Sequence, residues 1–410
     1  MLRNVGLFGF LLAVRAVFAA SPCASAPGSY AAVCAELDRH LSSFEATLGP
    51  PGKVADTPVA FSTELLSANA NRGLGRLLSP RTMPAVRREL DGLSKVGVQA
   101  VTIAVGFPIL YRSFHHNPAD FQRILDFYKR VMAEVRRRGL KVVIETSVMF
   151  PGHATDLPLN EYYAGLSEAQ LVSGRAQAAQ TIAQELAPDW LNLGSEPDTQ
   201  SALLRMPGGY SAEQYGSVIS TIMGQLRKAN VSGKPLIGAG IGTWHHNGRA
   251  YVQALIGTGV DYIDLHIFSA NLDFMNNALK YIDMAHAAGK GCAISEAWLK
   301  KLSDAQVRGK SEFGIIKLLS EAKVHDPFSF WAPLDSRFID DLVKLARWKG
   351  LYYLSPYPSP LMFAYLDYDR TRNMGAKERQ MRLTAASIDS LERGALSPTG
   401  QAYSAAIHSR

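Results

Sequence analysis

Cysteine is scarce in this 410-residue chain, which has three, at positions 23, 34 and 292. No two are spaced like a zinc knuckle, so a cysteine-built structural metal is not what organises the fold. Long apolar runs are missing beyond the N-terminus, where no segment reaches the ~18 uninterrupted apolar residues of a membrane span. There is no low-complexity tract and no internal repeat at the level of identity. The first strand pattern, FSTELLSANANRG, lacks a Gly-rich phosphate turn, so a dinucleotide has no visible socket and no cofactor is expected. Charge of one sign is not gathered in a block either. The formal net charge is +7, yet the densest basic run, VRRRG at Val135 to Gly139, sits at the end of a predicted helix, where cations favour the dipole. Nucleic acid is therefore not expected as a partner.

What the chain does have is 47% hydrophobic and 19% charged residues, the balance of a well-packed core. Its first residues, MLRNVGLFGFLLAVRAVFAASPCASAP, place Arg3 before an apolar run and then small residues, the order of a secretory signal over 1–26. Cleavage after Ala19 or Ala26 would fit, and a secreted or periplasmic protein with no membrane association after cleavage is expected. Cys23 and Cys34 could pair in an oxidising compartment, although the later cut would remove Cys23. Cys292, inside an apolar strand pattern, reads as a small buried hydrophobe.

A helical extension is expected over 27–54, and from residue 55 to 410 the pattern alternates. Short β-rich runs at about 58–66, 98–105, 140–147, 189–195, 235–241, 260–268, 291–295 and 351–355 are each followed by an amphipathic helical stretch, several ending in Gly. Eight such units predict parallel strands joined by right-handed crossovers, most naturally an α/β (β/α)8 TIM barrel, and a monomer. Long connections after strands three and seven are where such a barrel builds its site.

In a barrel the C-terminal strand ends meet at one face, so acids far apart in sequence converge. Four ends carry candidates: Glu145 in VVIETS, Glu196 in LNLGSEPD, His266 in DYIDLHIF and Glu296 in CAISEAW. Structural alternatives exist for each glutamate. Glu196, followed by Pro197, could simply start a helix, and Glu296 could pair with Lys300 or Lys301. Both at once, on these two strands, is the less economical account. Around them Trp244 after strand five, Trp298 after strand seven and Tyr357 after strand eight sit as aromatic rings at the expected rim, with His245 beside Trp244 as a polar contact.

This arrangement resembles the clan A glycoside hydrolases, whose acid/base glutamate ends strand four and whose nucleophile ends strand seven. Glu196-Pro197 matches the last two positions of that clan's Asn-Glu-Pro element, Glu296 the strand-seven element, and His266 the first position of the His-x-Tyr that ends strand six. The resemblance covers most of the chain after residue 55 as architecture with short motifs. It implies a retaining glycosidase acting on a carbohydrate substrate, with Glu196 as acid/base, kept protonated by burial and its neighbour's charge, and Glu296 as an ionised nucleophile. Ser195, His266, Glu145, Trp244, His245, Trp298 and Tyr357 would contact sugar. The chain departs from the pattern at Ser195, where the clan has asparagine, at Phe268, where tyrosine is common, and at Leu354, where a tryptophan often floors the cleaved bond. Galactan, mannan, glucan and xylan are not distinguished. Two other readings compete: a metal-dependent barrel in which Glu145, Glu196, His266 and Glu296 ring a divalent cation, and a glycan-binding barrel without catalysis.

Overall fold

The computed structural model describes residues 22–49, 58–150, 156–206, 208–231, 235–268, 270–321 and 325–409. Most of the expected signal segment, 1–21, and the stretch 50–57 lie outside them. Eight parallel strands form the sheet: β1 (Ala60–Phe61), β2 (Ala100–Ala104), β3 (Lys141–Glu145), β4 (Trp190–Asn192), β5 (Leu236–Gly242), β6 (Tyr262–Phe268), β7 (Gly291–Trp298) and β8 (Tyr353–Pro356). The order β1-β8-β7-β6-β5-β4-β3-β2, with the bridge from Glu64 to Thr102 joining its two ends, makes a (β/α)8 barrel. The helix Gly28–Glu45 precedes it and is tied by the Cys23–Cys34 disulfide. Cys292 is fully buried.

The first strand is much shorter than the 58–66 expected from its composition. Only two of its residues keep ladder pairing with β8, because the chain then bends to hand its carbonyls to β2: Gln99 N–H donates to Phe61 O and Thr102 N–H to Thr63 O.

Side chains alternate across a strand, so every second residue points into the barrel. Counting by two stacks the interior in layers. Ala60, Ala100, Val143, Trp190, Tyr262, Ala293 and Tyr353 form an apolar plug at the N-terminal end. One step up the strands come Ser62, Thr102, Asn192, Asp264 and Ser295, a buried polar layer. Glu145 shares that layer, level with Asn192, and Glu196, His266 and Glu296 lie above it. β5 reads LIGAGIG because it passes close to β6: a Cβ on Gly238 would meet the Tyr262 ring at 2.1 Å, and one on Gly240 would lie 1.7 Å from the Asp264 carbonyl oxygen. Glycine is the only residue that fits there.

Leu354 belongs to the outer core between sheet and helices rather than to the barrel mouth, so it is not the position that would floor a sugar site. Tyr353 and Ser355 flank it on the inward side, and Tyr357, just past the end of β8, is the residue that reaches the cleft.

Candidate active site

The strand ends open into a cleft of about 1190 Å³ whose floor holds Glu145, Glu196, His266 and Glu296. Two local backbone devices aim the glutamates. After β4, Gly194 turns with φ +135°, a value closed to other residues, while its N–H donates to Asn192 Oδ1 at 2.9 Å. That turn delivers Ser195 and Glu196. The helix Pro197–Leu203 starts immediately, and Glu196 stands at its N-cap position, but its carboxylate makes no capping bond. The helix-starting role therefore does not use the side chain, which reaches across to His266 Nδ1 at 2.7 Å.

In β7 the register against β6 slips: Leu265 pairs with Ile294, but His266 pairs with Glu296. This β-bulge inserts one residue, and a bulge both re-aims side chains and frees an amide from the ladder. The freed N–H of Ser295 donates to Asp264 Oδ1 at 3.0 Å, and its hydroxyl to Oδ2 at 2.5 Å. Asp264 is fully buried and also accepts from Asn192 Nδ2 at 2.7 Å and from the Ser195 hydroxyl. A buried carboxylate with this many donors fixes three strand ends at once. Burial still pushes its pKa up to about 6, against the charge of His266 and the Ser195 and Ser295 hydroxyls.

His266 sits on this platform with Nε2 3.0 Å from Ser295 Oγ, 3.5 Å from Glu145 and 3.5 Å from Asp264. Glu296 approaches Nδ1 at 3.9 Å. Burial alone would neutralise the ring, but the charges of Glu296, Glu145 and Glu196 hold its pKa well above the ordinary value, so it is an imidazolium donating from both nitrogens. Glu145 is buried too, yet the hydrogen bond and charge of His266 draw its pKa below the usual range. Glu296 goes the other way: burial first, then the charges of Glu145, Glu196 and Glu64, opposed only by His266, raise its pKa well above that range. Three carboxylates crowd one imidazolium, and burial bears most heavily on Glu296.

The lysines that could have paired with Glu296 do not. Lys301 bonds Asp335 at 2.5 Å, and Lys300 lies 2.8 Å from His325 Nδ1 with its ammonium over the Phe268 ring. Burial lowers the pKa of Lys300 to about 7 against the pull of Glu296 and Glu196.

The other expected contact residues divide. Tyr357 lines the cleft, and burial with the surrounding glutamates keeps its phenol protonated. Trp244 lines it while only 2% exposed, stacked on Phe268 at 5.4 Å with its N–H donated to Asp198 at 2.7 Å. Ser195 is at the floor with its hydroxyl committed to Asp264. His245 and Trp298 are corrections, since neither lines the cleft. His245 is clasped between Asp198 at 3.2 Å and Glu312 at 2.8 Å, and Trp298 is 2% exposed beneath Lys301. Rim position in sequence does not say which way a ring turns.

Four contributors escaped the sequence reading: Glu64, Asn192, Asp264 and Lys300. Glu64 ends the strand that bends away early, accepts from Asn69 Nδ2 at 2.7 Å, and is held by burial to a pKa of about 8. Running that strand to residue 66 hid an acid at its end. Asn192 and Asp264 lie one inward step below Gly194 and His266, so the period of two already contained them.

Glu145, His266 and Glu296 each offer one ligand atom within 4.8 Å of the others, enough to consider a divalent cation. Both nitrogens of His266 are already engaged, at 2.7 Å by Glu196 and 3.0 Å by Ser295. A metal would have to displace one of these bonds and take a neutral ring from a position that stabilises a charged one.

Compared with known proteins, no family model matches the chain and no curated protein does. Among solved structures it resembles the GH5_18 protein from Streptomyces cattleya in complex with GlcNAc, at 14% identity over 86% of this chain and 80% of that one, TM-score 0.52. It also resembles GH5_18 from Bifidobacterium longum subsp. longum, at 15% identity over 85% and 78%, TM-score 0.51. The shared feature is the barrel.

Proposed function

We propose that this chain is a retaining glycoside hydrolase of the clan A type. One observation carries the reading: carboxylates from β4 and β7 converge on the same nitrogen of His266, Glu196 at 2.7 Å and Glu296 at 3.9 Å. Their nearest oxygens are no further apart than those two distances end to end, the very bottom of the ~6.5–9.5 Å that inverting enzymes need for a water, which supports the closer pairing of about 5–5.5 Å used for covalent attack. The likeness in fold to the GH5_18 proteins agrees with it.

In this mechanism Glu196 gives its proton to the glycosidic oxygen as the bond to the anomeric carbon breaks, and a Glu296 oxygen forms an ester to that carbon. Glu196, now a base, takes a proton from water, which attacks the same carbon and releases Glu296. The cycle requires the proton on Glu196 and a charge on Glu296, so the pair works with one proton between them. Because Glu296 holds its proton above the ordinary carboxylate range, the pair keeps the proton it needs past that range, and kcat/KM should stay high there and fall only at higher pH. An optimum below about pH 4.5 would contradict it.

The direct test is intact mass after incubation with 2-deoxy-2-fluoro glycosyl fluorides, with peptide mapping. A single adduct on Glu296 supports the assignment, and an adduct elsewhere removes it. Glu196→Ala should lose roughly 10²–10⁴-fold in kcat and regain part of it with azide on an activated substrate, as a small anion replaces the missing base. A folded variant with no regain would count against Glu196.

Export to an oxidising compartment is proposed with this function, supported by the apolar N-terminal run and the Cys23–Cys34 bond. The mass of the mature chain checks it, since a cut after Ala26 would discard Cys23 and the bond with it.

A further inference from the structure

The floor of the cleft is acidic, but one of its walls is not. That wall is built by residues 66–76, by the helix Thr82–Val96 and by the helix Ala376–Arg393, and it presents Arg72, Arg76, Arg88 and Lys377 to the cleft. Arg88 has one weak partner, Glu392 at 3.6 Å, and both are about half exposed. Arg76 and Lys377 are exposed and, among the described residues, make no ion pair. Arg72 is half-buried and, among the described residues, its guanidinium has neither a hydrogen bond nor an ion pair.

Two acids near Arg72 act on it only from a distance, and neither bonds its guanidinium. Glu89 spends both oxygens elsewhere, accepting from Leu66 N–H at 2.9 Å, Ser67 N–H at 2.8 Å, the Ser67 hydroxyl at 2.5 Å and the Ser359 hydroxyl at 3.1 Å. Glu64 accepts from Asn69 and carries its own proton at neutral pH, since burial holds its pKa at about 8. Burial, helped by the charge of Arg76, meanwhile works against the charge of Arg72 and outweighs the pull of Glu89. A partly desolvated, unpaired guanidinium is costly to keep. The cost is returned when a planar carboxylate takes up its fork of donors, a match a lone ammonium does not provide.

We propose that the glycan accepted by this cleft is anionic: it carries sugar carboxylates, as uronic acids do, and Arg72 receives one of them while Arg76 and Lys377 line the path of the chain. The acidic floor and the basic wall then divide the work. The floor carries out the chemistry at a neutral anomeric carbon, and the wall attracts and registers the charged substituent. This rests on the glycosidase reading for the identity of the ligand as a glycan.

The test uses full-length Glu296→Gln in affinity electrophoresis through gels containing polygalacturonate, alginate or hyaluronan, each beside its carboxyl-reduced counterpart, with dextran sulfate beside dextran. The expected result is that at least one polyuronate binds tenfold or more tighter than its reduced form. Adding Arg72→Gln or Arg76→Gln should bring that ratio toward one, whereas Arg130→Gln, which removes the same charge from an outer helix, should leave it in place. Arg76 is exposed, so its variant tests the wall even if the Arg72 variant fails to fold. Equal binding of acidic and reduced forms, no binding of any polyuronate, binding of dextran sulfate alone, or a ratio that survives in both wall variants would each overturn the proposal. Reducing-end release by the wild-type chain separates the two readings. A polyuronate bound through Arg72 but never cleaved defeats the hydrolase and keeps the anionic ligand, while cleavage of neutral glycans alone does the opposite.

Discussion

Two histidines in this barrel are each held between carboxylates, and two residues of one turn supply an acid to each: Glu196 to His266 and Asp198 to His245. The chemistry of the pairs is the same, and their surroundings are not. His245 has a side chain 0% exposed, and both its nitrogens end on acids, Asp198 and Glu312, which tie the helix Pro197–Leu203 and the helix Glu312–Leu319 to the segment after β5, Asp198 also accepting from Trp244 and Glu312 from the His246 N–H. Around His266 there are more acids, Glu145, Glu196, Glu296 and Asp264, and Glu145, Glu196 and Glu296 line the cleft, Glu196 with 17% and Glu296 with 25% of the side chain exposed. A cluster sealed off from the cleft is structure. A more crowded one that opens into it can exchange a proton with a ligand, and that is what acid–base work requires.

The comparison can be broken from either side. The largest expected effect is on activity: Glu296→Gln should abolish hydrolysis by on the order of 10⁴-fold or more, as loss of a covalent nucleophile does, with thermal stability kept or raised because a crowded buried acid has been removed. A destabilised variant that still turned over would move Glu296 to the structural side. Next, His245→Ala leaves Asp198 buried without its partner, and chemical denaturation should show a loss of about 3–5 kcal/mol. Should turnover collapse while stability held, the sealed cluster would belong to the reaction after all.

A smaller effect sharpens the same contrast by pH. Burial acts to lower the pKa of His245, but Asp198 and Glu312 raise it to about 9. A pKa raised in the folded state gives stability that is complete below the unfolded value and fades as pH climbs through the folded one. Between about pH 6.5 and about 9, His245 should therefore cost the wild type on the order of 3 kcal/mol of stability. Stability measured across that window in His245→Gln should lose most of this slope, and an unchanged slope would place the titration elsewhere.

Much of this was legible in the sequence, for reasons that can be named. All eight strands were visible as β-rich runs because fully paired parallel strands are apolar on both faces, and strand ends of a barrel necessarily converge, which is how Glu196, His266 and Glu296 could be placed together across a separation of 70 and 100 positions. The bulge at Ser295 was not legible, since nothing in CAISEAW marks an extra residue, and without it the role of Asp264 as acceptor for a freed amide is invisible. His245 and Trp298 were misplaced for a related reason. Their partners Glu312 and Lys301 come from the long segment after β7, whose folding back over the rim is a tertiary event with no local sequence signal. The electrostatic order of the site was also beyond reach: burial, which no local pattern announces, raises the pKa of Glu296 and holds that of Glu64 at about 8.

The short first strand has a consequence for how the barrel opens and assembles. Its register pairs Ala60 with Tyr353, nearly the whole length of the fold apart, and beyond Phe61 the seam with β2 rests on a few single bonds such as Leu65 N–H to Thr102 O at 2.8 Å. Contacts between such distant positions form late in folding, and a seam with so little ladder is the place where a closed sheet unzips at least cost. Amide exchange should accordingly reach Phe61, Gln99 and Thr102 before the amides of β5 and β6. Glu64 stands on that seam, so each brief opening would let water reach a carboxyl whose pKa burial holds at about 8.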